Sequence, residues 1–125
     1  MALTIGLNSL DPERYAGWSG ELNACEFYAI DYADIAKSRN FQVKTLLTKE
    51  ATRANVIDEI SKAANTLNSG DIFMLSYSGH GGQVPDLNGD ETDEMDETMC
   101  LYDGQLIDDE LNALFAKFAE GVRVF

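Results

Sequence analysis

A chain of 125 residues and 13.8 kDa, with 45% hydrophobic and 25% charged residues, has the apolar content for a single core. Its 22 acidic against 9 basic residues give a formal net charge of −13 and a pI near 4.2, a field that repels phosphate backbones and anionic lipid and excludes nucleic acid as an expected partner. The longest apolar runs are strand-sized, short of the roughly 20 residues of a membrane-spanning helix; with no basic-then-apolar leader at Met1 and only Cys25 and Cys100 as thiols, the expected setting is the reducing cytoplasm, away from membranes.

Ala2 to Asn8 is a short apolar segment between polar turn formers and predicts a buried first strand. A loop from Ser9 to Gly20 follows and carries Trp18, the only tryptophan. From Asn23 to about Arg39 a helix is expected, because Ala24, Tyr28, Ile35 and Ala36, with Ala29, Tyr32 and Ala33, recur largely on one helical face; Asn40 can end it in the left-handed conformation. Phe41 to Leu47 alternates apolar and polar, the pattern of a strand covered mostly on one side. Thr48 or Thr52 can cap a second helix, whose Ala54, Ile57, Ile60, Ala64 and Leu67 keep three- and four-residue spacing until Ser69-Gly70. Asp71 to Tyr77 is nearly continuously apolar and reads as a central strand buried on both faces, the most buried of the chain. A third helix starts at Asp108 or Asp109 with Leu111, Leu114, Phe115 and Phe118 as its stripe and ends at Gly121; Val122 to Phe125 begins another strand. This alternation specifies a three-layer α/β sandwich with a mainly parallel sheet and right-handed crossovers, incomplete at its carboxyl end.

The only histidine, His80, lies in Ser76-Tyr77-Ser78-Gly79-His80-Gly81-Gly82-Gln83, directly after the apolar central strand. Ligands of open α/β sheets bind outside the carboxyl ends of the strands, and the flanking glycines leave the ring accessible and let a substrate approach the backbone. Such a histidine suits general-base catalysis or activation of a thiol. Cys25, on the first helix, and Cys100, in or beside a short strand, read instead as small buried hydrophobes. Between Asp86 and Glu110 stand eleven acids and no Lys or Arg. Their density of oxygen donors favours Ca²⁺ over softer-ligand metals. Asp86-x-Asn88-x-Asp90 with Glu97 at the twelfth position imitates an EF-hand loop, but Glu91 occupies the position where the sharp turn needs glycine.

These segments resemble the caspase-like cysteine peptidases, most closely the metacaspases and their bacterial relatives. The resemblance rests on Tyr77 to Gln83, on Asp96-Glu97-Thr98-Met99-Cys100-Leu101-Tyr102-Asp103-Gly104 and on Leu106-Ile107-Asp108-Asp109-Glu110-Leu111. Gly17 to Glu26 and Ile35 to Phe41 extend it over nearly the whole chain. It implies a caspase-like fold, of which residues 1–125 form a partial, large-subunit-like domain. It also implies a Cys/His dyad in which His80 is the histidine, with the Gly81 amide as oxyanion donor. In calcium-dependent members the equivalents of Asp96, Asp108 and Asp109 bind the activating Ca²⁺, and Asp86 and Asp90 become loop acids. The family's nucleophilic cysteine, and a fourth calcium carboxylate after it, fall beyond Phe125, so residues 1–125 alone should not cleave peptides. Tyr28 stands where the family's first helix carries an aspartate of the pocket for a basic side chain; a phenol lacks that charge, although it can stack on a guanidinium.

The leading expectation is therefore part of a calcium-activated cysteine endopeptidase, expected as a monomer, acting on peptide or protein substrates. A non-catalytic caspase-like binding or regulatory module is the alternative, and a simple calcium-binding domain built on the acidic loop is a third reading.

Overall fold

The computed structural model describes residues 1–86 and 95–125. Four parallel strands form the central sheet in the order β2-β1-β3-β7: β1 (Ala2–Gly6), β2 (Val43–Leu47), β3 (Ile72–Ser78) and β7 (Arg123–Val124). Helix α1 (Cys25–Ser38) covers one face, and α2 (Arg53–Thr66) and α3 (Asp108–Phe115) cover the other. The expected three-layer α/β sandwich is the observed architecture.

Alternation along β1 divides the layers. Leu3 and Ile5, continued by Leu7, join Val56, Ile60 and Ala63 of α2, Phe73 of β3 and Leu114 of α3 in the main core. Thr4 and Gly6 point the other way, toward α1. There the helix lies so close that a Cβ on Gly6 would stand 2.3 Å from the Cys25 carbonyl oxygen and 2.8 Å from Ala29 Cβ. Small residues are the only ones that fit at this distance, so α1 buries Cys25, Ala29, Ala33 and Ala36. Tyr28, Tyr32 and Ile35, expected on the inner face, are about half exposed. Asn40 ends the helix region with φ +62°, as expected, and Thr52 caps α2 by accepting from the Asn55 amide at 3.2 Å.

One expectation needs correction, and one element extends what the sequence indicated at Cys100. The most buried strand is β1, all five of whose residues are buried, whereas β3 buries fully only Phe73. Strand β1 is paired along its whole length on both sides, by β2 and β3, whereas β3 is paired on its other side only near its start, by β7 at Ile72 and Phe73 and by Phe125 with Phe73 and Leu75. The stretch after His80 forms an antiparallel sheet, ordered β4-β5-β6, from β4 (Gly81–Pro85), β5 (Met95–Leu101) and β6 (Gly104–Ile107). Glycine-rich and acidic composition hides these strands, yet β5 turns Asp96, Thr98 and Cys100 inward in strict alternation.

Candidate active site

In the order β2-β1-β3-β7 the chain leaves β1 in one direction to reach β2 and returns across it to reach β3. The carboxyl ends of β1 and β3 therefore flank the point where the winding reverses, the usual binding crevice of such sheets. The loop after β1 and the turn after β3 meet there, and His80 belongs to the latter. Beneath it the Tyr77 hydroxyl lies 2.7 Å from the His80 carbonyl oxygen and 2.9 Å from that of Cys100, one proton shared between two acceptors. Burial pushes this phenol upward, so it stays a donor. Gly79 is small because of it: a Cβ there would come within 2.6 Å of the Tyr77 oxygen. Gly82 is likewise hemmed in, by Gln105 Oε1 at 2.7 Å and Thr98 Oγ1 at 3.0 Å. These glycines make room for neighbouring side chains, a reason that composition does not reveal.

The His80 ring is held from outside the motif. Its Nε2 lies 3.0 Å from the Gly20 carbonyl oxygen, which can only accept, so in the neutral ring Nε2 carries the proton and Nδ1 keeps the lone pair. Trp18 covers the ring, with centroids 4.7 Å apart and planes at 53°. Gly81, next along, opens β4. The Cys100 amide donates to the His80 carbonyl at 2.9 Å, so that pair is hydrogen-bonded and the following pair, Gly81 with Met99, is not. The Gly81 N–H therefore points away from β5, at the outer edge of the described three-stranded sheet.

The model of the metacaspase, peptidase C14 domain matches residues 2–125. The chain belongs to the metacaspase family. It is 41% identical to Metacaspase-1 of Schizosaccharomyces pombe over 93% of this chain and 29% of that protein. With Metacaspase-1 of Emericella nidulans it shares 31% identity over 98% of this chain and 33% of that protein. A crystal structure of protein GSU0716 from Geobacter sulfurreducens superposes with a TM-score of 0.93 at 66% identity, covering 99% of this chain and 47% of that one. The chain thus spans about a third of these curated metacaspases and about half of the crystallised protein.

Against this family frame the remaining expected residues fall as follows. Cys25 and Cys100 are free, buried thiols, as anticipated, and burial raises the Cys100 pKa, the opposite of what activates a nucleophile. Asp96 is 3% exposed on β5. Asp108 opens α3 and accepts the Asp109 amide at 2.9 Å, and it shares a cleft of about 180 Å³ with Glu97. Their all-oxygen chemistry suits Ca²⁺. Among the described residues, however, no three His, Cys, Asp or Glu side chains converge as a complete metal centre. The EF-hand-like reading depends on Asn88, Asp90 and Glu91, which lie outside the described residues. Tyr28 is 54% exposed in the first turn of α1, at the same edge of the sheet as His80. Glu110, beside the expected calcium acids, is bound by Arg53 in two parallel contacts of 2.7 and 3.0 Å and accepts the Ile107 amide, so it joins α2 to the start of α3. A cavity of about 500 Å³ between Met1, Arg39, Gln42 and Asp71 opens at the amino ends of the strands, away from His80. Trp18, Gly20 and Tyr77 are the site residues that sequence reasoning missed; the sole tryptophan in a loop at a strand's carboxyl end was the available signal.

Proposed function

We propose that residues 1–125 form part of the catalytic domain of a metacaspase-type cysteine endopeptidase acting on peptide or protein substrates, with His80 as base and the Gly81 amide as oxyanion donor. The observation that carries this reading is the Nε2 contact with the Gly20 carbonyl, which leaves the lone pair of the neutral ring on Nδ1. The nucleophilic thiol belongs to sequence beyond Phe125. In support, β7 runs parallel to β3, so a chain continuing from it is directed toward the edge where His80 stands. His80 takes the thiol proton and the thiolate attacks the peptide carbonyl carbon. The Gly81 N–H then donates to the resulting oxyanion. Collapse breaks the C–N bond as the imidazolium returns its proton to the leaving amine, and water hydrolyses the thioester.

Ca²⁺ is proposed as an activator, with Asp96, Asp108 and Asp109 the acids that the family resemblance assigns to it. Among the described residues they do not converge as a metal centre, so binding would have to draw them together with further ligands; the eleven acids without a Lys or Arg between Asp86 and Glu110 support it. No catalytic step passes through the ion. The cytoplasmic setting is also a proposal, supported by the two free thiols. Tyr28 in place of an acid favours substrates other than those with a basic side chain before the cleaved bond.

The test uses a polypeptide that carries residues 1–125 together with the remaining catalytic region. A peptidyl electrophile followed by peptide mapping should label a cysteine beyond residue 125. Labelling at Cys25 or Cys100, or none where the protein is folded and binds peptide, would replace the peptidase reading with the binding-module one.

A further inference from the structure

The loop after β1 is pinned at several points. Leu10, itself buried, donates its amide to the Ser19 carbonyl at 2.8 Å, and Leu22 donates to that of Asn8 at 2.8 Å. Asp11 donates to the Tyr102 carbonyl at 2.9 Å, and the Tyr15 hydroxyl donates to that of Leu101 at 2.6 Å, fastening the loop to the end of β5. Within it, the Trp18 amide donates to the Tyr15 carbonyl and the two rings meet edge-on at 6.4 Å. A half-exposed tryptophan is thus held in place by the backbone on both sides, with its indole over the only histidine of the chain. The Gly20 carbonyl sets which ring nitrogen donates, but one hydrogen bond leaves the ring free to tilt about that contact. The Trp18 indole, tilted at 53° with its centroid 4.7 Å from that of the imidazole, restricts this freedom. Gly20 has φ +52°, and a Cβ there would stand 3.0 Å from His80 Cδ2, so the ring is enclosed on this side as well.

We infer that Trp18 is a positioning residue of the His80 site: its indole and the Gly20 carbonyl together hold the imidazole in one rotamer, with the proton on Nε2 and Nδ1 presented to the crevice. This rests on the proposed role of His80 as base, yet its test requires no catalysis, so the two readings fail separately.

One histidine makes the experiment unambiguous. Long-range ¹⁵N–¹H correlation on the 125-residue chain, above the pH at which the ring is protonated, reads which nitrogen of His80 carries the proton. The wild type should show a single, predominantly Nε2–H ring. Trp18→Ala should reduce that preference roughly 2- to 12-fold, the range an aromatic pair contributes, and Trp18→Phe should restore most of it. Gly20→Ala, whose Cβ would meet His80 Cδ2 at 3.0 Å and Nε2 at 3.2 Å, should also lose the preference. A backbone amide spectrum confirms that each variant is folded; should Trp18→Ala unfold, Trp18→Leu, which keeps an apolar side chain but no aromatic ring, takes its place and should lose the preference in the same way, a wild-type ring spectrum in it overturning the inference. An Nδ1–H ring in the wild type, or the wild-type ring spectrum in a folded Trp18→Ala, would overturn the inference.

Discussion

The Ser-Gly-His-Gly block is legible in the sequence as a site, but the reason for its glycines is not. Gly79 yields to the Tyr77 hydroxyl, and that hydroxyl cannot retreat because two carbonyl oxygens hold it. Gly79→Ala should therefore cost about 1–3 kcal/mol, as overpacking does. In a Tyr77→Phe background the clashing oxygen is gone, and the same substitution should cost measurably less. Urea unfolding of the four proteins in a double-mutant cycle checks this; additive effects would show that the phenol does not fix the glycine. Gly6 is a second case, where α1 approaches the backbone of β1. Gly6→Ala should lower stability by ~3 kcal/mol, because the obstacle is the Cys25 carbonyl and not a movable side chain. His80 was found from its place after an apolar strand. Its partners Gly20 and Trp18 are 60 and 62 positions earlier in the numbering, and only tertiary folding brings them to it.

At the level of elements, β1 and β3 follow from short continuous apolar runs, and the helices from three- and four-residue apolar spacing, which in α2 matches the burial of Val56, Ile60, Ala63 and Ala64 behind the Thr52 cap. The β4-β5-β6 sheet does not. Glycines at its start and an acid on the inward side, Asp96, mask an alternation that Asp96, Thr98 and Cys100 in fact obey. Its junction with the helical layer is held by Arg53, which binds Glu110 and also the Gln105 carbonyl. The Arg53 guanidinium, first by hydrogen bonding, holds the Glu110 carboxyl below its ordinary value of 4.5. A depressed carboxylate adds stability that is present above the unfolded-state pKa and is lost as pH falls through the folded-state one. Glu110→Gln should thus lower stability by at most about 1 kcal/mol at pH 7, since the pair is about one-third exposed, and flatten the fall in stability below pH 4.5. Unfolding midpoints measured at both ends of that range decide it: an unchanged acid limb in the variant would remove Glu110 from the account.

For the molecule as a whole, tight seating of α1 on β1 has a consequence on the outside. Tyr28, Tyr32 and Ile35 recur at helical spacing and are 54%, 48% and 56% exposed. Glu26, bonded to Thr48 just past β2, marks the β2 side of the helix, so this stripe lies toward β3 and β7. Expected in the core, it forms instead an apolar band on the outer surface of α1. The 125-residue chain by itself should associate as concentration rises. Ile35→Glu should reduce that association in sedimentation velocity while changing stability by less than about 0.5 kcal/mol; equal association in both proteins would show that the band is inert. The fold class was readable because layer architecture depends on element order. The face that each α1 side chain occupies was not, because it depends on a close approach set by one glycine.

The central claim is that His80 is the base of a cysteine peptidase. The most direct measurement is kcat/KM for hydrolysis of a fluorogenic peptide by a polypeptide that carries residues 1–125 with the remaining catalytic region, compared with its His80→Ala variant. Loss of general-base catalysis should lower the value by roughly 10²- to 10⁴-fold with the fold intact. A folded variant that cleaves the peptide at the wild-type rate would contradict the account.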